Sequence, residues 1–180
     1  LCHAQNADFS MLRKMNRNEH PQWDKTMRIT SASVYPVMVA APGSLLLTGY
    51  INDDEAMMRN GIKTGAAIGL NIFLTSGLKY VVNRPRPYVQ YPHDIVKRAE
   101  GGIYSFPSGH TSTAFATATA LTLSTKKWYV AVPSYAYACA VGYSRMRLGV
   151  HFPSDVLGGM ILGIGSSLLV FQIDKWLQHN

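Results

Sequence analysis

Charge is what this chain has least of. Only 15% of its 180 residues are Asp, Glu, Lys or Arg, while 47% are hydrophobic; a typical soluble domain carries roughly 25% charged residues. A disordered chain is therefore excluded, because disorder needs low hydrophobicity and high charge. Cysteine is equally scarce: the two residues Cys2 and Cys139 cannot staple a miniprotein or build a cysteine zinc module. Cys139 lies in the apolar stretch 135–141 and is expected to be a small buried hydrophobe. At 19.8 kDa the chain holds one domain with a real core, not two ordinary ones. Acidic residues are the rarer sign, 10 against 17 basic, which gives a formal charge of +7 and a pI near 9.5. That balance favours an anionic partner such as a phosphate ester, a lipid head group or nucleic acid. No aromatic–basic readout motif speaks for nucleic acid.

What is present is long neutral sequence. Residues 29–52, 64–78, 101–125, 128–144 and 156–173 carry no charge, and most approach the ~20 residues needed to cross a bilayer core. They are too long for strands and lack period-2 alternation, so they read as helices. Gly61, Gly65 and Gly69, then Gly159 and Gly163, recur at four-residue spacing, which lets helix backbones approach closely in membrane bundles. Mean hydropathy is only +0.01, because polar connecting segments and the Ser and Thr inside the runs dilute it. The expected architecture is all-α: a membrane-embedded bundle of about five transmembrane helices with a short amphipathic N-terminal segment. Residues 1–28 form that lead-in and residues 29–180 a single domain. Within the lead-in, Leu1–Ala4 resembles the tail of a signal peptide, with Gln5 as the first mature residue. A Cys2–Cys139 bridge is not expected.

Three short clusters hold the side chains suited to phosphate chemistry. Lys79, Arg84 and Arg86 end the second run, next to Pro87; such cations beside a membrane-length segment are costly without an anion to meet. Pro107-Ser108-Gly109-His110 opens the third run as a helix start. Free N–H groups at a helix N-terminus attract anions, Gly109 admits a ligand oxygen, and Ser108 adds a hydroxyl. His110 can act as general acid or base. In the third cluster, Ser144-Arg145 precedes His151, and Pro153 starts a helix with Asp155 in its first turn. An aspartate there can hold one imidazole nitrogen and free the other to attack.

The combined spacing, Lys79-(6)-Arg86-Pro87, Pro107-Ser108-Gly109-His110 and Ser144-Arg145-(5)-His151-(3)-Asp155, resembles the three-part signature of the type 2 phosphatidic acid phosphatase family. Arg84-Pro85 has the wrong spacing from Lys79, so Arg86 takes the first-motif position. The resemblance implies a lipid phosphate or diphosphate phosphatase that works without a metal or other cofactor, through a phosphohistidine intermediate. It implies His151 as nucleophile, Asp155 as its orienting partner and His110 as the acid and base. It also implies Lys79, Arg86, Arg145, Ser108 and Gly109 as the phosphate-binding set. Phosphatidate, phosphatidylglycerophosphate, undecaprenyl diphosphate and lipid A phosphate are the candidate substrates, with membrane lipids as partners and no nucleic acid.

With an external N-terminus, all three clusters fall on one face, and Lys126-Lys127 lies on the other. The expected location is then a bacterial-type inner membrane, multi-pass, with the active site facing the periplasm or exterior. External loops carry more Lys and Arg than the positive-inside bias allows; part of that excess belongs to the phosphate site. The alternatives are a soluble secreted acid phosphatase of the class A type and, further off, a vanadium-dependent haloperoxidase. Substrate choice is expected to lie in the 88–106 loop, at Tyr88, Tyr91, His93, Lys97, Arg98 and Tyr104, and in the lead-in before Ile29.

Overall fold

The computed structural model describes the backbone of residues 2–179 and the side chains of residues 7–178. Its helices are α1 (Cys2–Asn16), α2 (Pro21–Ala32), α3 (Val34–Ile51), α4 (Glu55–Val82), α5 (Pro87–Gln90), α6 (Gly109–Thr125), α7 (Trp128–Arg147) and α8 (Pro153–His179). No strand occurs among the described residues. Local signals fix the ends. The Asp54 carboxylate accepts from the Met57 N–H at 2.9 Å and caps α4, which closes on Asn83 in the left-handed region at φ 51°. Asn tolerates that region better than most residues. Pro153 begins α8, where its missing N–H costs nothing.

Helix α6 forms the axis, with α4, α7 and α8 packed around it and α3 outside α4. Ala114, Ala116, Ala118 and Ala120 are buried along it, so neighbouring helices come close. A Cβ on Gly159 would lie 2.7 Å from the Ser108 carbonyl oxygen, and one on Gly163 would run into the Ser112 carbonyl. The expected small-residue stripe on α8 is therefore a real contact with the α6 backbone. The stripe on α4 is not continuous. Gly61 meets Leu46 of α3 closely, Gly65 has only ordinary contact with Pro42, and Gly69 faces open space.

Three segments, Pro21–Ile51, Glu55–Gln90 and Pro153–Gln178, are long and apolar enough to cross a membrane by length and composition. Their outer surfaces expose large apolar side chains such as Val39, Leu47, Phe73 and Ile161, far more than water normally tolerates in one region. Helix α6, with 17 residues, falls short of that standard in length and, through its threonines, in hydropathy. The α6 threonines are satisfied locally: Thr117 donates to the Thr113 carbonyl and Thr122 to the Ala118 carbonyl, both at 2.8 Å. A buried helix can carry these hydroxyls without orphaned donors, and the carrying lowers its hydropathy.

Two expectations change here. Cys139 is exposed, because the inward face of α7 is Ala138, Val141, Gly142 and Arg145 and one residue further turns 100° away. The lead-in is two helices docked on the protein. Leu12 of α1 is fully buried with Ile95 and Phe152, while Met27 of α2 packs on Leu148 and Val150. Leu1–Gln5 and Cys2, where a cleavage site was expected and a bridge was not, have side chains outside the described residues.

Candidate active site

The three clusters meet at one end of the bundle. Lys79 in the last turn of α4, Arg86 just before α5, Gly109 and His110 at the start of α6, Arg145 near the end of α7 and His151 between α7 and α8 all line one cavity of about 480 Å³. Its other walls come from Val34, Tyr35 and Met38 of α3, Ile72, Thr75 and Ser76 of α4, and the Glu100–Gly102 turn.

Each cation is held by backbone or hydroxyl oxygens, so its charge is aimed before any ligand arrives. Lys79 Nζ donates to the Pro107 carbonyl at 2.8 Å and the Tyr104 carbonyl at 3.2 Å. Arg86 donates from Nε to the Gly102 carbonyl at 2.5 Å and from one terminal nitrogen to the Val150 carbonyl at 2.8 Å. A Cβ at Gly101 would sit 2.8 Å from that guanidinium carbon, so the loop needs glycine to seat it. Arg145 donates to Ser31 Oγ at 2.5 Å and the Glu100 carbonyl at 3.3 Å, while its Nε is buried with no protein partner. Such a donor is costly unless an acceptor completes it, and a phosphate oxygen is a fitting one.

The tautomer of His151 follows from its neighbours. Arg86 lies 3.2 Å from Nε2, and a guanidinium can only donate. Nε2 therefore carries the lone pair and Nδ1 the proton; Asp155 Oδ2 lies 3.5 Å from Nδ1, which makes no formed hydrogen bond among the described residues. That carboxylate oxygen accepts the Phe152 N–H at 2.8 Å. Burial, then the positive charges of Arg145, Arg86 and Lys79, hold the His151 imidazole well below its ordinary pKa, so the ring stays neutral. Asp155 also ties the two helix starts together, its carbonyl accepting the Ser108 N–H at 3.0 Å.

Two expected site residues stand off the cavity wall. Asp155 sits behind His151. The Ser108 side chain is fully buried and shares a 2.8 Å hydrogen bond with Thr111 Oγ1. The expected specificity loop contributes little beyond Glu100–Gly102. Tyr88 and Tyr91 pack into apolar clusters beneath α1. Arg98 is bound to Asp24 at 3.2 Å, and Lys97 to Glu100 at 2.9 Å. The wall residues of α3 were not foreseen, and Tyr35 edges onto the His110 ring at 5.2 Å. No group of three or more His, Cys, Asp or Glu among the described residues is arranged to hold a metal ion.

The PAP2 superfamily model matches residues 60–178, which include every cluster above. Lipid A 4'-phosphatase of Bacteroides thetaiotaomicron is 33% identical over 93% of this chain and 77% of its own length. Undecaprenyl-diphosphatase of Sulfolobus acidocaldarius is 33% identical over 64% of this chain, which spans 55% of that protein's length. A transmembrane PAP2-type phosphatidylglycerolphosphate phosphatase from Bacillus subtilis superposes with a TM-score of 0.77 at 26% identity, over 96% of this chain and 87% of that one. LpxE from Aquifex aeolicus gives a TM-score of 0.74 at 29% identity, over 91% and 93%. Signature spacing, helical layout and matched span agree, and the chain belongs to the PAP2 superfamily.

Proposed function

We propose that this chain is an integral-membrane phosphatase that removes phosphate or diphosphate from a membrane lipid through a phosphohistidine on His151, without metal. One observation carries the reading: three pinned cations and two histidines converge on a cavity that also has an apolar patch, Val34, Met38 and Ile72, beside its polar wall residues. That combination suits a charged head on a hydrophobic tail and not a freely soluble ester. It is also the reason to prefer a lipid phosphatase to a secreted acid phosphatase.

Lys79, Arg86 and Arg145 bind the non-bridging oxygens, with the Gly109 N–H at the positive end of α6. As the phosphate arrives, Arg86 passes from His151 Nε2 to an oxygen and uncovers the lone pair. Nε2 then attacks phosphorus, the bond to the leaving oxygen breaks, and His110, entering the cycle as imidazolium beside the bound phosphate, delivers its proton to that oxygen. Asp155 stabilises the positive charge on the ring. In the second half His110 takes a proton from water, the water oxygen attacks phosphorus, and His151 leaves as neutral imidazole. Positioning and charge stabilisation supply most of the acceleration in phosphoryl transfer.

Segments α2–α3, α4, α6, α7 and α8 would make five crossings, with the cavity at the external face of a bacterial-type inner membrane. The gathering of all three clusters at one end, with Lys126 and Lys127 at the other, supports this topology. The test is phosphate release by detergent-purified protein from phosphatidate, phosphatidylglycerophosphate, undecaprenyl diphosphate, lipid A and p-nitrophenyl phosphate, with EDTA present. EDTA-resistant release that prefers a lipid and is lost in His151→Ala is the expected result. Activity on the soluble ester alone would move the reading to an acid phosphatase, and none from folded protein would defeat it.

A further inference from the structure

Arg84 lies outside the signature and does not line the cavity, yet it is bound to two carboxylates, Asp8 and Asp155. One terminal nitrogen donates to Asp155 Oδ1 at 2.7 Å and to Ser154 Oγ at 2.6 Å. The other donates to Asp8 Oδ2 of helix α1 at 2.8 Å. Its guanidinium lies 4.1 Å over the Phe152 ring. Asp8 is fixed in turn, accepting the Ser154 N–H at 2.9 Å and the Ser154 hydroxyl at 2.5 Å.

The two oxygens of Asp155 are thus divided. Arg84 takes Oδ1, and the Phe152 N–H takes Oδ2 and leaves it facing His151. A carboxylate held at both ends cannot rotate about its own bond. Asp155 is fully buried, and a buried carboxylate without a cation is costly. Arg84 supplies that cation from the side away from substrate, with planar geometry a lysine lacks.

We propose that Arg84, locked by Asp8 of the N-terminal helix, is a positioning residue that sets Asp155 and through it, together with Arg86 at Nε2, the tautomer and orientation of His151. The inference rests on the phosphatase reading and deepens it: α1 is part of the catalytic support. The lead-in reaches the nucleophile through three charged groups in a row, with Asp8 and Asp155 far apart in sequence and joined through Arg84, beside the Asp8–Ser154 bonds.

The test uses the whole chain in detergent. Arg84→Ala is expected to lower kcat by about 10–100-fold, the range seen when groups behind a ligating side chain are removed. KM and inhibition by inorganic phosphate should stay within about two-fold, since Arg84 touches no substrate oxygen. Arg84→Lys should restore part of kcat. Asp8→Asn should lower kcat about three- to ten-fold alone and add less than about two-fold on top of Arg84→Ala. A second readout needs no turnover. In protein labelled with ¹⁵N-histidine, the signal missing from His151→Ala should report the Nδ1–H form in the parent and a tautomer mixture in Arg84→Ala. Unchanged kcat, a matching rise in KM, or an unaltered His151 signal would overturn the proposal. If the parent releases no phosphate from any lipid, the phosphatase reading fails while the tautomer measurement still decides the positioning role.

Discussion

The two ends of this bundle carry charge in opposite ways. At the cavity end Arg86, Arg145, Arg147, Asp24 and Asp155 are all buried. Arg147 there is shared among Asp24 at 2.9 Å, the Met15 carbonyl at 2.7 Å and the Asn18 carbonyl. At the far end Arg59 and Lys63 meet Asp174 at 2.7 and 3.1 Å, with half of the Arg59 side chain exposed. That end also has a hollow, of about 540 Å³, lined by Lys63, Lys126, Asp174 and Lys175. Cavity size therefore does not identify the working end. What does is charge removed from water and pinned by backbone, which only a rigid fold or a ligand can stabilise.

The largest test of that contrast is Arg145→Met against Lys63→Met. The first should lower kcat/KM by about 10²–10³-fold, as loss of one preorganised donor does; the second should leave it within about two-fold. A comparable loss from Lys63→Met would break the comparison. Asp24→Asn comes next: it leaves Arg98 and Arg147 without their shared carboxylate and should cost about 3 kcal/mol or more in stability. Asp174→Asn at the exposed end should cost about 1 kcal/mol or less. Thermal or denaturant unfolding in one detergent measures both.

On α8 the same contrast is steric. Gly159→Ala pushes a methyl group at the Ser108 carbonyl, 2.7 Å from its ideal position, and should destabilise by about 1–3 kcal/mol. Gly165→Ala faces open space and should stabilise by up to about 1 kcal/mol through helix propensity. A melting temperature unchanged in both would show that α8 does not rest on α6 as described.

The smallest effect is in pH. The folded protein holds His151 neutral well below the ordinary imidazole value of 6.5, while the unfolded chain takes up a proton there. The unfolded state binds more protons below pH 6.5, so the contribution of His151 is full above that pH and fades as pH falls through it. His151→Gln should flatten the decline of melting temperature between pH 7 and 5. An identical decline in both proteins would remove His151 as its source.

Much of the site was legible in the chain because its chemistry is written in spacing. Lys79, Arg86, His110, Arg145, His151 and Asp155 sit at helix ends, and helix ends announce themselves locally through Pro87, Ser108 and Pro153. The cavity wall of α3 was not legible, since Tyr35 and Met38 look like any other residues of an apolar helix until α4 and α6 are packed beside them. Lys97 and Arg98 belonged to the loop expected to choose the substrate, but Asp24, distant in sequence, claims Arg98. Arg84 looked like a misplaced copy of Arg86, and its partners Asp8 and Asp155 lie at opposite ends of the chain.

By itself the sequence determined where helices begin, which runs are neutral, and which residues are chemically able to handle phosphate. Each of these depends on neighbours a few positions away, through periodicity, capping and proline's fixed backbone. The tertiary structure alone decided which cations are free to meet a ligand, which way Cys139 faces, and what holds Asp155 in place. Those outcomes depend on burial and on partners far along the chain, and a side chain's charge takes its role from what else is packed against it.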